Sequence, residues 1–140
     1  MSDAPLTVGV DHVGLTVRNL SVTRDFFING LGWTQVGGRP DYPAAFVSDG
    51  YVTLTLWEVK DLENCAEFDR KTNVGLHHLA LRVGSKEALD AIFSQVSKWP
   101  GVVVEFAPEN MGEGPKCHTM LYEPGGIRLE FDFDPRIRPG

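Results

Sequence analysis

His12-Val13-Gly14-Leu15-Thr16-Val17 and His78-Leu79-Ala80-Leu81-Arg82-Val83 are near copies of one phrase, set 66 positions apart. Each is a histidine opening an alternation of apolar and other residues, the pattern of a half-buried β-strand. A chain that writes such a strand twice, with a histidine at the same place, builds one site from two halves. The order of elements after each copy is also repeated. After the first come a helix capped by Asn19 or Ser21, a strand from Trp33, and a hairpin of Ala45–Val47 with Tyr51–Val59 about Ser48-Asp49-Gly50. After the second come a helix capped by Ser85, a strand over 102–106, and a hairpin of Cys117–Tyr122 with Ile127–Phe133 about Pro124-Gly125-Gly126. Gly37–Pro43 and the Gly/Pro-rich 108–115 read as loops, the latter a candidate lid, and 60–75 as the linker between halves. The fold class is α+β, with modules at about 8–59 and 77–133 in one domain spanning 1–140.

Strand parity sorts the side chains without further information. Val13, Leu15 and Val17 take one face of the first strand, with His12, Gly14 and Thr16 on the other. Leu79, Leu81 and Val83 oppose His78, Ala80 and Arg82, and Ile127, Leu129, Phe131 and Phe133 oppose Arg128, Glu130 and Asp132. The apolar sets fit a helix-covered core. His12, His78 and Glu130 all fall on the opposite, concave face. Two imidazoles and one carboxylate so placed form a facial set for a divalent metal, with positions left for water or substrate. A lone histidine at a strand start is more often a hydrogen-bonded rim residue. The parity match of three ligands outweighs that reading. His77 competes with His78 but falls on the core face and breaks the phrase.

A fourth ligand is harder to find. Glu58 ends the first module's last strand but shares the parity of the apolar Val52, Leu54 and Leu56, so it reaches the site only through a bulge. Counted from the hairpin glycine, Thr55 is the better occupant of the symmetric position.

These pieces resemble the vicinal oxygen chelate superfamily, the glyoxalase, bleomycin-resistance and extradiol-dioxygenase proteins. The resemblance is carried by residues 11–17, Phe26-Phe27 through Leu31-Gly32, residues 78–83 and Glu123-Pro124-Gly125-Gly126-Ile127-Arg128-Leu129-Glu130. It implies two βαβββ modules pairing into a cupped mixed sheet with the helices outside. It implies a divalent metal (Fe, Mn, Ni, Zn or Mg) held by His12, His78 and Glu130, with Glu130 doubling as the catalytic carboxylate. It implies chelation of vicinal oxygens of a small-molecule substrate, and a homodimer, since members often pair modules between chains. A glyoxalase-like lyase or isomerase would need Glu58 as a fourth ligand. An extradiol-type dioxygenase or fosfomycin-type thiol transferase needs only three ligands. A drug-binding resistance protein needs none. Thr55, Trp57, Arg82 and Arg128 are expected to contact substrate from the cup, with His118 reaching in from the loop. Arg128 could instead pair with Asp132 or Glu130.

Bulk properties bound the partners. A net charge of −6 speaks against nucleic acid. No apolar run approaches the ~20 residues of a membrane span. The start, Met1-Ser2-Asp3-Ala4-Pro5, lacks a signal-peptide layout, so a cytoplasmic location is expected, with Cys65 and Cys117 as free thiols.

Overall fold

The structure, a computed structural model, describes residues 3–137. The first module runs β1 (His12–Val17), α1 (Leu20–Asp25), β2 (Thr34–Arg39), β3 (Ala44–Ser48) and β4 (Thr53–Glu58). The second runs β5 (Leu79–Arg82), α2 (Lys86–Val96), β6 (Val103–Asn110), β7 (Cys117–Tyr122) and β8 (Arg128–Phe133). Each module is a four-stranded mixed sheet of the same order, β1-β4-β3-β2 and β5-β8-β7-β6. The first strand of each module lies parallel to its last. This is the α+β pairing of two βαβββ modules that the repeated phrase predicts.

The alternation does what parity requires. Leu15, Val17, Val47, Leu54 and Leu56 are buried under the helices, as are Leu81, Leu121, Leu129 and Phe131 in the second module. Burying each such side chain contributes roughly 1.5–3 kcal/mol. Asn19 caps α1 by accepting from Val22 N, and Ser85 caps α2 by accepting from Ala88 N. α1 does not end cleanly. It widens into a single π-turn over Phe26–Gly30, with Leu31 N donating to Phe26 O. The extra residue lets the adjacent Phe26 and Phe27 both point inward, their rings edge to face at 5.5 Å.

Two expected loops are shorter than composition suggests. β2 continues through Gly37-Gly38-Arg39 after a register shift at Gln35/Gly37. β6 continues through Pro108 to Asn110 after two shifts. Both are edge strands, where a bulge or a proline costs no ladder bond on the open side.

No hydrogen bond joins the two sheets among the described residues. The modules meet on the helical side. Trp99 packs edge to face on Phe26, and Gln95 reaches the Gly30 carbonyl. Thr23 on α1 donates to Glu123 in the β7–β8 turn at 3.1 Å. Glu123 is buried, so burial pushes its carboxyl upward, against opposing bonds from Gly125 N and Thr23. A Cβ on Gly125 would stand 2.4 Å from Glu123 Oε1, so that position must be glycine for the turn to fold over the carboxyl.

Candidate metal and substrate site

The concave face of the first module carries His12, Gly14 and Thr16 from β1, beside their β4 register partners Thr53, Thr55 and Trp57. Phe46 on β3 stands next to Thr55. The indole of Trp57 lies along the strand and donates from Nε1 to Thr55 Oγ1 at 2.9 Å. A Cβ on Gly14 would meet Thr55 Oγ1 at 3.2 Å and Trp57 Nε1 at 3.7 Å, so the glycine admits the indole against β1. Tyr42 and Phe46 flank Trp57, with ring centroids 4.7 and 5.6 Å away. This face is aromatic at its centre, with Arg39 in the Trp57 row at the open edge and Lys60 over the Tyr42 ring.

His12 stands at its rim, 54% exposed in its side chain, with Nδ1 2.7 Å from Asp11 Oδ2. A carboxylate on one imidazole nitrogen fixes the ring and leaves Nε2 with its lone pair, the usual arrangement behind a metal-bound histidine. Asp11 is His12's partner; no contact joins His12 to His78 or Glu130 among the described residues. Glu58 lies at the far end of β4, where Oε2 accepts from Leu20 N at 2.9 Å and caps the start of α1.

The second module's face is ionic. Arg128, Glu130 and Asp132 on β8 lie beside Tyr122, Met120 and His118 on β7. His78 Nε2 is 3.2 Å from Glu130 Oε1, and His118 Nδ1 is 2.5 Å from Glu130 Oε2. Burial pushes the Glu130 carboxyl upward, but the hydrogen bond with His118 and the nearby His118 and His78 charges act against it, and the net shift is down. Asp132 is pushed up, by burial and then by the neighbouring Glu130 charge, with Lys116 opposing.

His77 settles the tautomer of His78. Arginine N–H groups only donate, so His77 Nδ1 accepts from Arg128 Nη1 at 3.4 Å. His78 Nδ1, 2.7 Å from that same nitrogen, must then supply the proton between them. Neutral His78 therefore turns a bare Nε2 lone pair toward a buried carboxylate oxygen. Two acceptors this close repel unless a proton or a cation lies between them. The donor set fits a divalent cation; among the described residues His78 and Glu130 are in contact, and His12 is in contact with neither.

The remaining expected residues are dispersed. Arg82, beside Asp132 in register, is exposed, and its side chain has no ion pair or hydrogen bond among the described residues. Arg128 pairs with neither Glu130 nor Asp132. It forms a two-pronged bond to Glu105, 2.8 Å on each arm, which holds the Glu105 carboxyl down. His118 belongs to β7 rather than to the loop, because the strand starts at Cys117. Sequence reasoning missed Glu105, which follows a bulge that scrambles parity, and put His77 on the core face although it is exposed. Alternation is not a guide at 77, since β5 starts only at Leu79. Arg70, from the linker, donates to Tyr122 Oη at 2.8 Å and joins His77 and Arg128 around a cavity of about 300 Å³ at the mouth of this face.

The model of the Glyoxalase/Bleomycin resistance protein/Dioxygenase superfamily matches residues 9–131, and the chain belongs to that superfamily. Among solved structures it is similar to a glyoxylase/bleomycin resistance protein/dioxygenase domain from Frankia sp. EAN1pec, at 26% identity and TM-score 0.76, covering 91% of this chain and 98% of that one. The fosfomycin resistance protein FosX from Listeria monocytogenes shares the fold at 18% identity and TM-score 0.70, covering 92% and 95%. So does a lactoylglutathione lyase from Agrobacterium tumefaciens, at 16% identity and TM-score 0.70, covering 92% and 96%. No curated protein matches the chain. No described helix is long and apolar enough to cross a membrane.

Proposed function

We propose that this chain is a divalent-metal-dependent enzyme that binds a small molecule through two neighbouring oxygens and works as a homodimer. His78 and Glu130 of one chain, with the partner's His12, would hold the cation. The observation that carries the reading is His78 Nε2 standing 3.2 Å from an oxygen of the buried Glu130. His12, oriented by Asp11 and otherwise uncommitted, supports its delivery from a second copy. The helix-side contacts between modules leave both concave faces of one chain open for such pairing. Once bound, the cation would supply Lewis-acid stabilisation of charge developing on the chelated oxygens.

The chain's own groups do the rest. His118 and His78 fix Glu130 from both sides, and His77 fixes His78. Arg82 offers a free guanidinium to an anionic substrate group, and Trp57 and Phe46 offer an apolar wall. Glu58 serves α1, so the first module brings no second glutamate to act as a base. That favours the enzymes with two histidines and one glutamate, of the thiol-transferase or extradiol-dioxygenase kind, over a glyoxalase-like lyase or isomerase. The ionic face argues against a metal-free drug binder.

Metal analysis of anaerobically purified protein tests this. About one divalent ion per chain is expected, with none in Glu130→Ala. Wild-type protein that takes up no cation, yet binds a flat aromatic drug stoichiometrically, would overturn the reading.

A further inference from the structure

The linker between the modules builds one wall of the cavity at the mouth of the second face. Its turn at 69–73 is closed from within. Lys71 N donates to Asp69 Oδ1 at 2.8 Å, and Asn73 N donates to Asp69 O at 2.8 Å. Just before the turn, the Phe68 ring lies against Gly75, where a Cβ would stand 2.6 Å from Phe68 Cε1. Phe68 and Arg70 thereby share the cavity with Ile127 and Arg128, at the end of β8 away from Arg82.

The charges around this space are unequally committed. Arg128 spends Nε and Nη2 on the two oxygens of Glu105. Arg70 Nη1 donates to Tyr122 Oη at 2.8 Å, but Arg70 Nη2 is 4.0 Å from Glu105 Oε1, beyond hydrogen-bond reach. The Nε–Nη2 edge of Arg70, the same edge that Arg128 turns to Glu105, therefore carries no hydrogen bond among the described residues. Asp69, the other carboxylate on the wall, accepts from Lys71 N within its own turn. Such an edge is a planar two-donor fork that matches a carboxylate. Phe68 and Leu76, both exposed apolar side chains, and Ile127 supply an apolar surface beside it. The volume of about 300 Å³ is at the small end for a ligand site.

We infer that this cavity binds a small organic carboxylate, its oxygens on the Nε–Nη2 edge of Arg70 and its hydrocarbon body on Phe68, Leu76 and Ile127. His77, in the cavity wall, has Nδ1 2.7 Å from His78 Nδ1, which sets the subsite one side chain from the candidate cation. The identity of the ligand as substrate rests on the proposed function: the carboxylate is one end of the molecule and the two chelating oxygens are the other. Binding of the carboxylate itself does not need the cation. The linker, which belongs to neither sheet, then selects among substrates.

3-Phenylpropanoate and its neutral amide, titrated into metal-free, full-length protein and followed by NMR shifts, test the assignment. The carboxylate should bind with a Kd on the order of 1 mM, and the amide at least about fivefold more weakly. Arg70→Gln should weaken carboxylate binding by at least about fivefold, and Arg70→Lys by less. Phe68→Ala should weaken both probes. Glu130→Ala, which removes the proposed cation site, should bind the carboxylate as wild type does, and Arg70→Gln should take up zinc as wild type does. Equal binding of acid and amide, or carboxylate binding indifferent to Arg70→Gln, overturns the subsite. So does a loss of zinc in Arg70→Gln, which would make Arg70 a support for His77 and His78. If the carboxylate binds as described but wild type takes up no zinc, the subsite stands and the metal-dependent function falls.

Discussion

The two concave faces are built on the same strand order and the same histidine phrase, yet they carry opposite chemistry. The first presents Trp57, Phe46 and Thr55 with one histidine at the rim, and the indole donates to the Thr55 hydroxyl. The second presents His78, His118, Glu130 and Asp132, with both histidines on the Glu130 carboxylate and one buried Asp132 oxygen without a hydrogen-bond partner. The contrast amounts to a division of labour. The apolar layer that makes each sheet fold is the same in both halves, so the open faces were free to diverge. One face is an aromatic wall and the other a cluster of charged side chains that the proposed cation would complete.

His12→Ala probes that division with the greatest loss. It removes the only ligand the first face offers, so zinc affinity should fall by roughly 100-fold or more. Trp57→Ala, on the same face, should leave zinc affinity unchanged. Isothermal titration distinguishes them, and equal losses would mean that the first face contributes packing rather than a ligand.

Next in size is His77→Ala. It removes the acceptor that sets the His78 tautomer without touching the cation, so affinity should fall by about tenfold. The His77→Gln variant, which keeps an acceptor, should recover part of the loss.

Glu58→Ala approaches the contrast from the other side. It should lower stability by about 1 kcal/mol, the cost of a lost helix cap, and leave zinc affinity unaltered. A loss of metal would instead make Glu58 a ligand.

A smaller change is expected at the seam between modules. The Glu123 carboxyl is raised above its usual 4.5 by burial, so the neutral acid is the form the fold prefers. Its contribution is complete below pH 4.5 and is lost as pH rises through the raised value. Thermal unfolding of wild type and Glu123→Gln, compared across pH, should show a difference that shifts in favour of the amide as pH rises. A pH-independent difference would contradict this.

Much of the fold, and the face on which each candidate site residue sits, was legible in the sequence, for identifiable reasons. Residues inside regular strands obey parity, so Leu15, Leu54, Leu81 and Leu129 fell to the core and His12 and Glu130 to the open faces. Legibility failed where alternation fails. His77 precedes the first residue of β5, and Glu105 lies among the bulges of β6. His118 lies inside the expected Cys117–Tyr122 strand, so the expectation that it reaches in from the loop disregarded that strand. Glu58 was readable as sharing the parity of core residues, but its partner, the Leu20 amide, is a contact between distant segments that periodicity cannot show. Parity also says which face a ligand occupies, never which copy of the chain closes over it.

Subunit complementation asks that last question outright. His12→Ala and Glu130→Ala chains, each without a site of wild-type affinity, are unfolded together and refolded as a mixture. If the site forms between copies, mixed dimers regain one intact site each, or about one tight zinc ion for every four chains. If His12 and Glu130 of the same chain must meet, the mixture recovers no tight binding, and the two faces are not completed across a dimer.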